Sequence, residues 1–166
     1  LFAFGGEIEA LRERTASTLL TPHPGEAGVL LGCSAAEVNA DRIGAARELA
    51  RRSAAVAMLK GAGTVTAEPS GAVIVNPTGG PALGTGGTGD VLLGICTALL
   101  AQGLDAWRAG ALGAYLHGLA GDRIAARQGS SGLLAGDLVA ELPFAFRELR
   151  EAAALRSELA LARRFP

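Results

Sequence analysis

Apolar residues 43, 46, 49 and 50 recur at helical spacing, while Arg47, Glu48, Arg51 and Arg52 take the opposite face. That pattern predicts a helix with one packed and one solvated side, capped by Asp41. The following residues, 54–59, are apolar without alternation, as expected of a strand buried on both faces. Residues 64–67 and 72–75 are β-rich and joined by Glu68-Pro69-Ser70-Gly71, so they read as a hairpin. Upstream, residues 7–14 form a short, charged helical piece. The brief apolar run Thr18-Leu19-Leu20 then closes on Thr21-Pro22-His23-Pro24-Gly25, where two prolines force an extended turn. Residues 26–31 suit a short helix ending at Gly32, and Ser34-Ala35-Ala36-Glu37 has the form of a capping box.

Downstream, a Gly/Pro/Thr-rich stretch over residues 76–89 feeds an apolar helix over 90–102, which Gly103 ends. Asp105 caps a second helix through about Arg127, whose small neighbours permit close packing. Residues 129–132 break it, and 133–142 and 143–164 read as two further helices, with Pro143 at the first position of the second. A strand, helices, a strand, a hairpin and packed helices in that order imply α/β layering rather than an all-α bundle. About four strands are visible, few for a doubly wound sheet.

Composition narrows the class. Fifteen Lys+Arg against sixteen Asp+Glu give a net charge of −1 over 166 residues, so no global positive field exists to hold nucleic acid or an anionic bilayer. Residues 91–104 would rise only about 21 Å as a helix, against roughly 30 Å of hydrocarbon, so no membrane span is expected. No basic segment precedes an apolar one at the start, and Cys33 and Cys96 read as buried thiols; a cytoplasmic location is expected. The 24 glycines cluster between Gly61 and Gly132 without a period, which excludes collagen and solenoid repeats.

The strongest chemical signal is Gly84-Thr85-Gly86-Gly87-Thr88-Gly89-Asp90 running into Val91-Leu92-Leu93. Glycines let backbone N–H groups approach an anion, and the helix starting there adds its positive dipole end, so Gly86, Gly87, Thr88 and Gly89 suit an anion hole for a phosphoryl group. The string satisfies G-x-G-x-x-G, but the nearest preceding strand ends near Val75 and another helix follows, which argues against a dinucleotide fold; no Lys-Ser/Thr follows, which excludes a Walker A loop. Asp90 is either a helix N-cap or a base that takes a hydroxyl proton while loop amides hold the moving phosphoryl. Lys60, the only lysine, lies at a strand end before Gly61-Ala62-Gly63-Thr64, as a nucleotide contact or a snorkelling surface residue. His23 either touches substrate or satisfies loop carbonyls. Glu26 either caps the next helix or helps hold Mg²⁺ near phosphates. His117 reads as a packed helical histidine, and Thr85, Thr88 and Asn76 as ordinary loop polar residues.

Thr21-Pro22-His23-Pro24-Gly25-Glu26, Leu59-Lys60-Gly61-Ala62-Gly63-Thr64, Asn76-Pro77-Thr78-Gly79 and Thr85-Gly86-Gly87-Thr88-Gly89-Asp90-Val91-Leu92, in that order, closely resemble the ADP/ATP-dependent NAD(P)H-hydrate dehydratases. Residues 115–122 and 132–138 extend the similarity almost to the C-terminus. The resemblance implies a ribokinase-like layered α/β sandwich in which ADP or ATP, with Mg²⁺, phosphorylates the 6-hydroxyl of hydrated NADH or NADPH, and loss of phosphate restores the dihydropyridine. It implies that His23 and Asp90 contact the hydrated nucleotide, with Asp90 as base, and that Lys60, Gly61, Ala62, Gly63, Thr64 and Gly89 bind the adenine nucleotide. Glu26 resembles the acid of the wider kinase family's N-x-x-E motif, with His23 in place of Asn. A homo-oligomer is expected, fused to or working beside an NAD(P)H-hydrate epimerase. The competing readings are a ribokinase-like kinase of a small vitamin precursor and a non-catalytic nucleotide-binding module.

Two departures stand out. Where the family usually has Gly-Asn-Pro-Gly-Met-Ala, this chain reads Gly79-Gly80-Pro81-Ala82-Leu83-Gly84. The family's earlier glycine-rich segment and Asp-Ala-Asp motif are absent, so residues 1–166 are expected to be the C-terminal portion of one such domain.

Overall fold

The computed structural model describes residues 1–162. Its sheet has four strands in sequential order: β1 (Leu19–Leu20), β2 (Val56–Leu59), β3 (Val65–Ala67) and β4 (Val73–Val75). β1 runs parallel to β2, with Leu19 opposite Val56, and β3 runs antiparallel to both β2 and β4, with Leu59 opposite Val65 and Thr66 opposite Ile74. Every residue of β2 and β3 is buried, which is why their apolar runs lack polar alternation.

Strand alternation distributes β2 between two cores. Ala57 and Leu59 join Leu20, Leu30, Val38 and Leu49 beneath α1 (Pro24–Leu31), α2 (Ala35–Ala40) and α3 (Arg42–Ser53). Met58 points the other way, to Leu92, Cys96 and Ala114 of α4 (Thr88–Ala101) and α5 (Ala106–Gln128). α6 (Ala135–Ala162) closes that layer over Leu116, Ile124 and Leu138. The architecture is a layered α/β fold with helices on both faces of a mixed sheet.

Local chemistry sets most boundaries. Asp41 caps α3 by accepting from the Gly44 N–H at 2.8 Å, and Ser34 and Glu37 form the expected capping box on α2. Four expectations shift. The early piece is a 3-10 helix over Ile8–Glu13, held to α3 by Arg12 on the Arg51 carbonyl and Glu9 on Arg52. Ile43 is 42% exposed, so the packed face of α3 is Ala46, Leu49 and Ala50. Cys33 is only partly buried, whereas Cys96 is buried and its thiol is pushed up to about 11 by loss of solvent. The third and fourth downstream helices are one: α6 runs through Pro143 without a break. Proline removes one donor to the carbonyl four residues back. That carbonyl belongs to Val139, on the solvent side, while Leu138 and Ala145 keep one buried stripe running past it. The predicted end of that helix, at Arg164, lies outside the described residues.

Two features tie α5 to its neighbours. Glu141 of α6 is 5% exposed and accepts from Arg127 at 2.6 Å and from Arg123 at 2.6 Å. Those hydrogen bonds, Arg127's foremost, hold its carboxyl below the usual 4.5. On the opposite side, α5 approaches the loop after β4 so closely that a Cβ on Gly118 would lie 2.6 Å from the Thr78 carbonyl carbon and overlap the Thr78 hydroxyl.

Gly118→Ala should therefore destabilise, overpacking costing about 1–3 kcal/mol net of the helix-propensity gain and lowering the melting temperature by about 3–10 °C. An unchanged melting curve would refute the close approach. A carboxylate with a depressed native pKa stabilises the fold above its unfolded pKa, and that stabilisation is lost as pH falls through the native value. Glu141→Gln should thus be less stable than the parent at pH 7 and converge on it in acid, below the ordinary 4.5 of a glutamate, in melts recorded across pH.

Candidate active site

β2 ends at Leu59, and the turn to β3 begins with Lys60. Gly61 and Gly63 hold φ of 138° and 59°, values that side-chain-bearing residues rarely adopt. Thr64 donates its hydroxyl to the Gly61 carbonyl at 3.1 Å. From the helical layer, Arg42 reaches under this turn and donates to the carbonyls of Leu59 at 3.2 Å and Lys60 at 3.3 Å. Its guanidinium has no carboxylate partner among the described residues, and burial draws its pKa down. No local pattern singles out Arg42, which lies seventeen positions before Leu59 and becomes relevant only once α3 packs on β2.

The turn is also tied to the segment after β1. Lys60 N–H donates to the Pro22 carbonyl at 2.8 Å. His23 is the N-cap of α1: its Nδ1 accepts from the Glu26 N–H at 3.2 Å, while Glu26 Oε2 accepts from the His23 N–H at 2.8 Å. The same oxygen lies 3.9 Å from Lys60 Nζ. Glu26 is thereby occupied as a cap and as the counter-charge of the lysine. Among the described residues no group of three His, Cys, Asp or Glu side chains could hold a metal ion. The Glu26 oxygen that a Mg²⁺ near phosphates would draw on is the one that accepts from the His23 N–H and faces Lys60.

The glycine-rich turn lies across from Lys60. A 3-10 segment, Pro81–Gly84, leads into it, and α4 starts at Thr88, two positions before the predicted start at Asp90. Gly87 is the N-cap, with φ 85° and no side-chain cap. Among the described residues, the N–H groups of Gly86, Gly87 and Gly89 find no acceptor. Three unspent donors at the positive end of a fourteen-residue helix make an anion site, and Gly86 and Gly87 are open to solvent. A Cβ on Gly89 would sit 3.5 Å from Lys60 Nζ, so the lysine cation reaches this turn. Asp90 occupies the third helical position; its carboxylate is exposed and has no hydrogen-bond or ion-pair partner among the described residues.

A cavity of about 420 Å³ opens between these turns. Of the sequence-predicted residues, Lys60, Gly61, Ala62, Thr64, Thr88 and Gly89 line it; Gly63, His23, Glu26, Gly86, Gly87 and Asp90 lie outside its lining. The remaining wall comes from the loop after β4 and from α5. Asn76 donates to the Ala114 carbonyl at 3.1 Å, Thr78 to the Tyr115 carbonyl at 2.9 Å, and Asp122 accepts from the Gly79 N–H at 2.8 Å. His117, read from sequence as a packed helical residue, is indeed buried, yet it lines the cavity and bonds the Thr88 carbonyl at 2.9 Å. Thr88 and Asn76, read as ordinary loop residues, are likewise buried and bonded. The available signal was that polar side chains at 114–122 fall among glycines and alanines, on the face of α5 that other segments approach.

Comparison with known proteins places this geometry in a family. The Carb_kinase family model, described as NAD(P)H-hydrate dehydratase, matches residues 3–143. The bifunctional NAD(P)H-hydrate repair enzyme Nnr of Moorella thermoacetica is 52% identical over 133 residues, covering 80% of this chain and 25% of that protein. The ADP-dependent (S)-NAD(P)H-hydrate dehydratase of Neisseria meningitidis serogroup B is 43% identical over 144 residues, covering 87% of this chain and 48% of its own length. Among solved structures, the ADP/ATP-dependent NAD(P)H-hydrate dehydratase of Bacillus subtilis, co-crystallised with ATP/Mg²⁺ and soaked with CoA, superposes with a TM-score of 0.76 at 36% identity, over 84% of this chain and 53% of that one. A ribokinase-like superfamily protein of Enterococcus faecalis superposes with a TM-score of 0.64 at 25% identity. The chain thus spans a quarter to about half the length of these relatives.

Arg42→Met should release the carbonyls of Leu59 and Lys60, and exchange of the Lys60 amide, which donates to the Pro22 carbonyl, should quicken by about tenfold, the equivalent of one charge-assisted hydrogen bond. Hydrogen-exchange mass spectrometry on the turn reads this directly; unchanged protection would show that Arg42 does not hold it.

Proposed function

The chain belongs to the NAD(P)H-hydrate dehydratase family, and from that footing we propose that its glycine turn and Lys60 take the phosphoryl group of an adenine nucleotide while Asp90 takes a proton from hydrated NADH or NADPH. These residues act as the C-terminal portion of a ribokinase-like dehydratase domain that works as a metabolite-repair lyase, in the cytoplasm, alone or beside an epimerase. The observation that carries the reading is the set of free N–H donors at Gly86, Gly87 and Gly89, with a lysine ammonium on one side and an unpaired carboxylate in the first helical turn.

The chemistry follows from that placement. The 6-hydroxyl oxygen of the hydrated ring attacks the terminal phosphorus of ADP or ATP; the new O–P bond forms as the bond to the bridging oxygen breaks, releasing AMP or ADP. Asp90, free of hydrogen bonds that would satisfy it, accepts the hydroxyl proton. The glycine amides meet the non-bridging oxygens, where charge concentrates, without any reorganisation at the moment of transfer. The ring-nitrogen lone pair then expels phosphate from C6, and loss of the C5 proton restores the 5,6 double bond. Lys60, Gly61, Ala62, Gly63, Thr64 and Gly89 hold the nucleotide in this scheme, and His23 orients the nicotinamide side. His23 can donate from Nε2 because its Nδ1 is spent on the Glu26 amide. A cation accompanying the nucleotide would ride on its phosphates rather than on a protein cage.

Asp90→Asn should lower turnover at least about 100-fold, the typical worth of a positioned base, while ADP binding by calorimetry stays within about threefold. The assay follows inorganic phosphate together with the returning reduced-nicotinamide absorbance. A stable phosphorylated product would point instead to a small-molecule kinase, and full activity in the variant would remove Asp90 from the mechanism.

A further inference from the structure

α4 begins at the point where an anion is to be gripped, yet nothing in its own sequence caps it. Its N-cap is a glycine without a side chain, and the amides of Gly87 and Gly89 find no acceptor among the described residues. Such a terminus frays unless something outside it fixes the first turn. The fixing is done at Thr88. Its hydroxyl is 2.8 Å from the Leu83 carbonyl and 2.9 Å from the Thr85 carbonyl, so its single proton ties the turn back on itself. Its carbonyl, already an acceptor within the helix, has a second lone pair that meets His117 Nε2 at 2.9 Å. A carbonyl only accepts, so Nε2 carries the proton and the ring is held in that tautomer. His117 is 7% exposed, and burial keeps its proton affinity below the usual imidazole range, so it stands there as a neutral donor.

The ring's own footing is equally fixed. Within the same two turns of α5, Ala114 and Tyr115 accept from Asn76 and Thr78, and Asp122 accepts from Gly79. These bonds lock the opposite cavity wall to the helix that carries His117. One imidazole thus joins the glycine-turn wall to the opposite one at the level of the first turn of α4, above the Leu92, Cys96 and Ala114 packing.

We infer that His117 is a positioning residue, which latches the first turn of α4 to α5 and so aims the Gly86, Gly87 and Gly89 amides at the phosphoryl group. The inference rests on the proposed reaction for its kinetic consequence but not for its structural one. His117→Gln keeps an N–H donor near the Nε2 position, and His117→Leu keeps the volume without the donor. In the full-length protein, the leucine variant should lose about 10- to 100-fold in kcat with KM for ADP within about threefold, since a misaimed cradle costs most in the transition state. The glutamine variant should recover most of that loss. Nitrogen-15 spectra of the wild type should show a protonated Nε2 and a bare Nδ1, and the amide resonances of Gly86, Gly87 and Gly89 should move in His117→Leu but not in His117→Gln.

Unmoved amide resonances in the leucine variant, a glutamine variant as impaired as leucine, or the opposite tautomer in the wild type would each overturn the latch. If His117→Leu does not fold, the wild-type tautomer and the glutamine variant still decide. Should the wild type fail to turn over hydrated NADH, the proposed reaction falls while the amide shifts continue to test the latch.

Discussion

The site depends on how closely other chain segments can approach α5. A non-repetitive loop must satisfy its backbone polar groups somewhere, and a loop that lines a cavity cannot satisfy all of them with water. Here the loop after β4 and the first turn of α4 are both satisfied by one helix, which is possible only because that helix presents glycines where they touch it. A Cβ on Gly110 would lie 3.1 Å from Leu19, one on Gly113 would lie 2.5 Å from Cys96 Sγ, and one on Gly121 would lie 2.7 Å from Leu83, while Gly118 faces Thr78. Successive turns of α5 thus receive the sheet, α4, the loop after β4 and the 3-10 segment in its grooves. Each glycine weakens the isolated helix by roughly 1 kcal/mol relative to alanine. That cost is offset by packing which lets four different segments close on one rail, two of them, the loop after β4 and the first turn of α4, through hydrogen bonds.

From this rail follows the division of charge at the site. The molecule carries almost no net charge, so attraction for an anion has to be local. Lys60 provides the only ammonium side chain, and Glu26 stands 3.9 Å away to balance it. What remains for a phosphoryl group is the set of backbone amides, whose partial charges cannot move or titrate. A carboxylate placed among such donors would normally be repelled by the ligand. Asp90 avoids that conflict by lying outside the cavity lining, exposed and without a hydrogen-bond or ion-pair partner among the described residues.

Much of this was legible in the sequence because it is local. The capping boxes, the hairpin, the fully apolar β2 and the two loop motifs each depend on residues only a few positions apart. Glu26 looked as much like a metal ligand as a cap, and only the closeness of Lys60 and His23 in space shows how its oxygen is spent. Pro143 misled because a proline looks like a start signal unless one knows that both neighbouring turns are pinned by Leu138 and Ala145 in the core. Arg42 and His117 were invisible as site residues for one shared reason. Each acts through a backbone carbonyl on another element, and a carbonyl has no letter in the sequence. His117 to Thr88 spans 29 positions, and no periodicity within either helix encodes that contact.

Two helix N-termini meet at the end of the sheet where β1 and β2 finish, the end at which open α/β sheets generally receive ligands. Both carry a positive dipole end, so the dipole alone does not choose between them. The chain chooses chemically. At α1 the first helical position is Pro24, which has no N–H to offer, and the Glu26 amide is consumed by His23 Nδ1. The carboxylate of Glu26 further opposes an incoming anion there. At α4 the N-cap is Gly87 and the first two helical positions are Thr88 and Gly89; the Gly87 and Gly89 amides find no acceptor among the described residues, and Asp90, at the third position, lies outside the cavity lining. On the proposed reading, an anion drawn to this end of the molecule settles on α4, while α1 holds Lys60 and His23 through Glu26. The order of two short motifs along the chain, one rich in self-capping groups and one stripped of them, would then set the nucleotide and its acceptor on different sides of the same space.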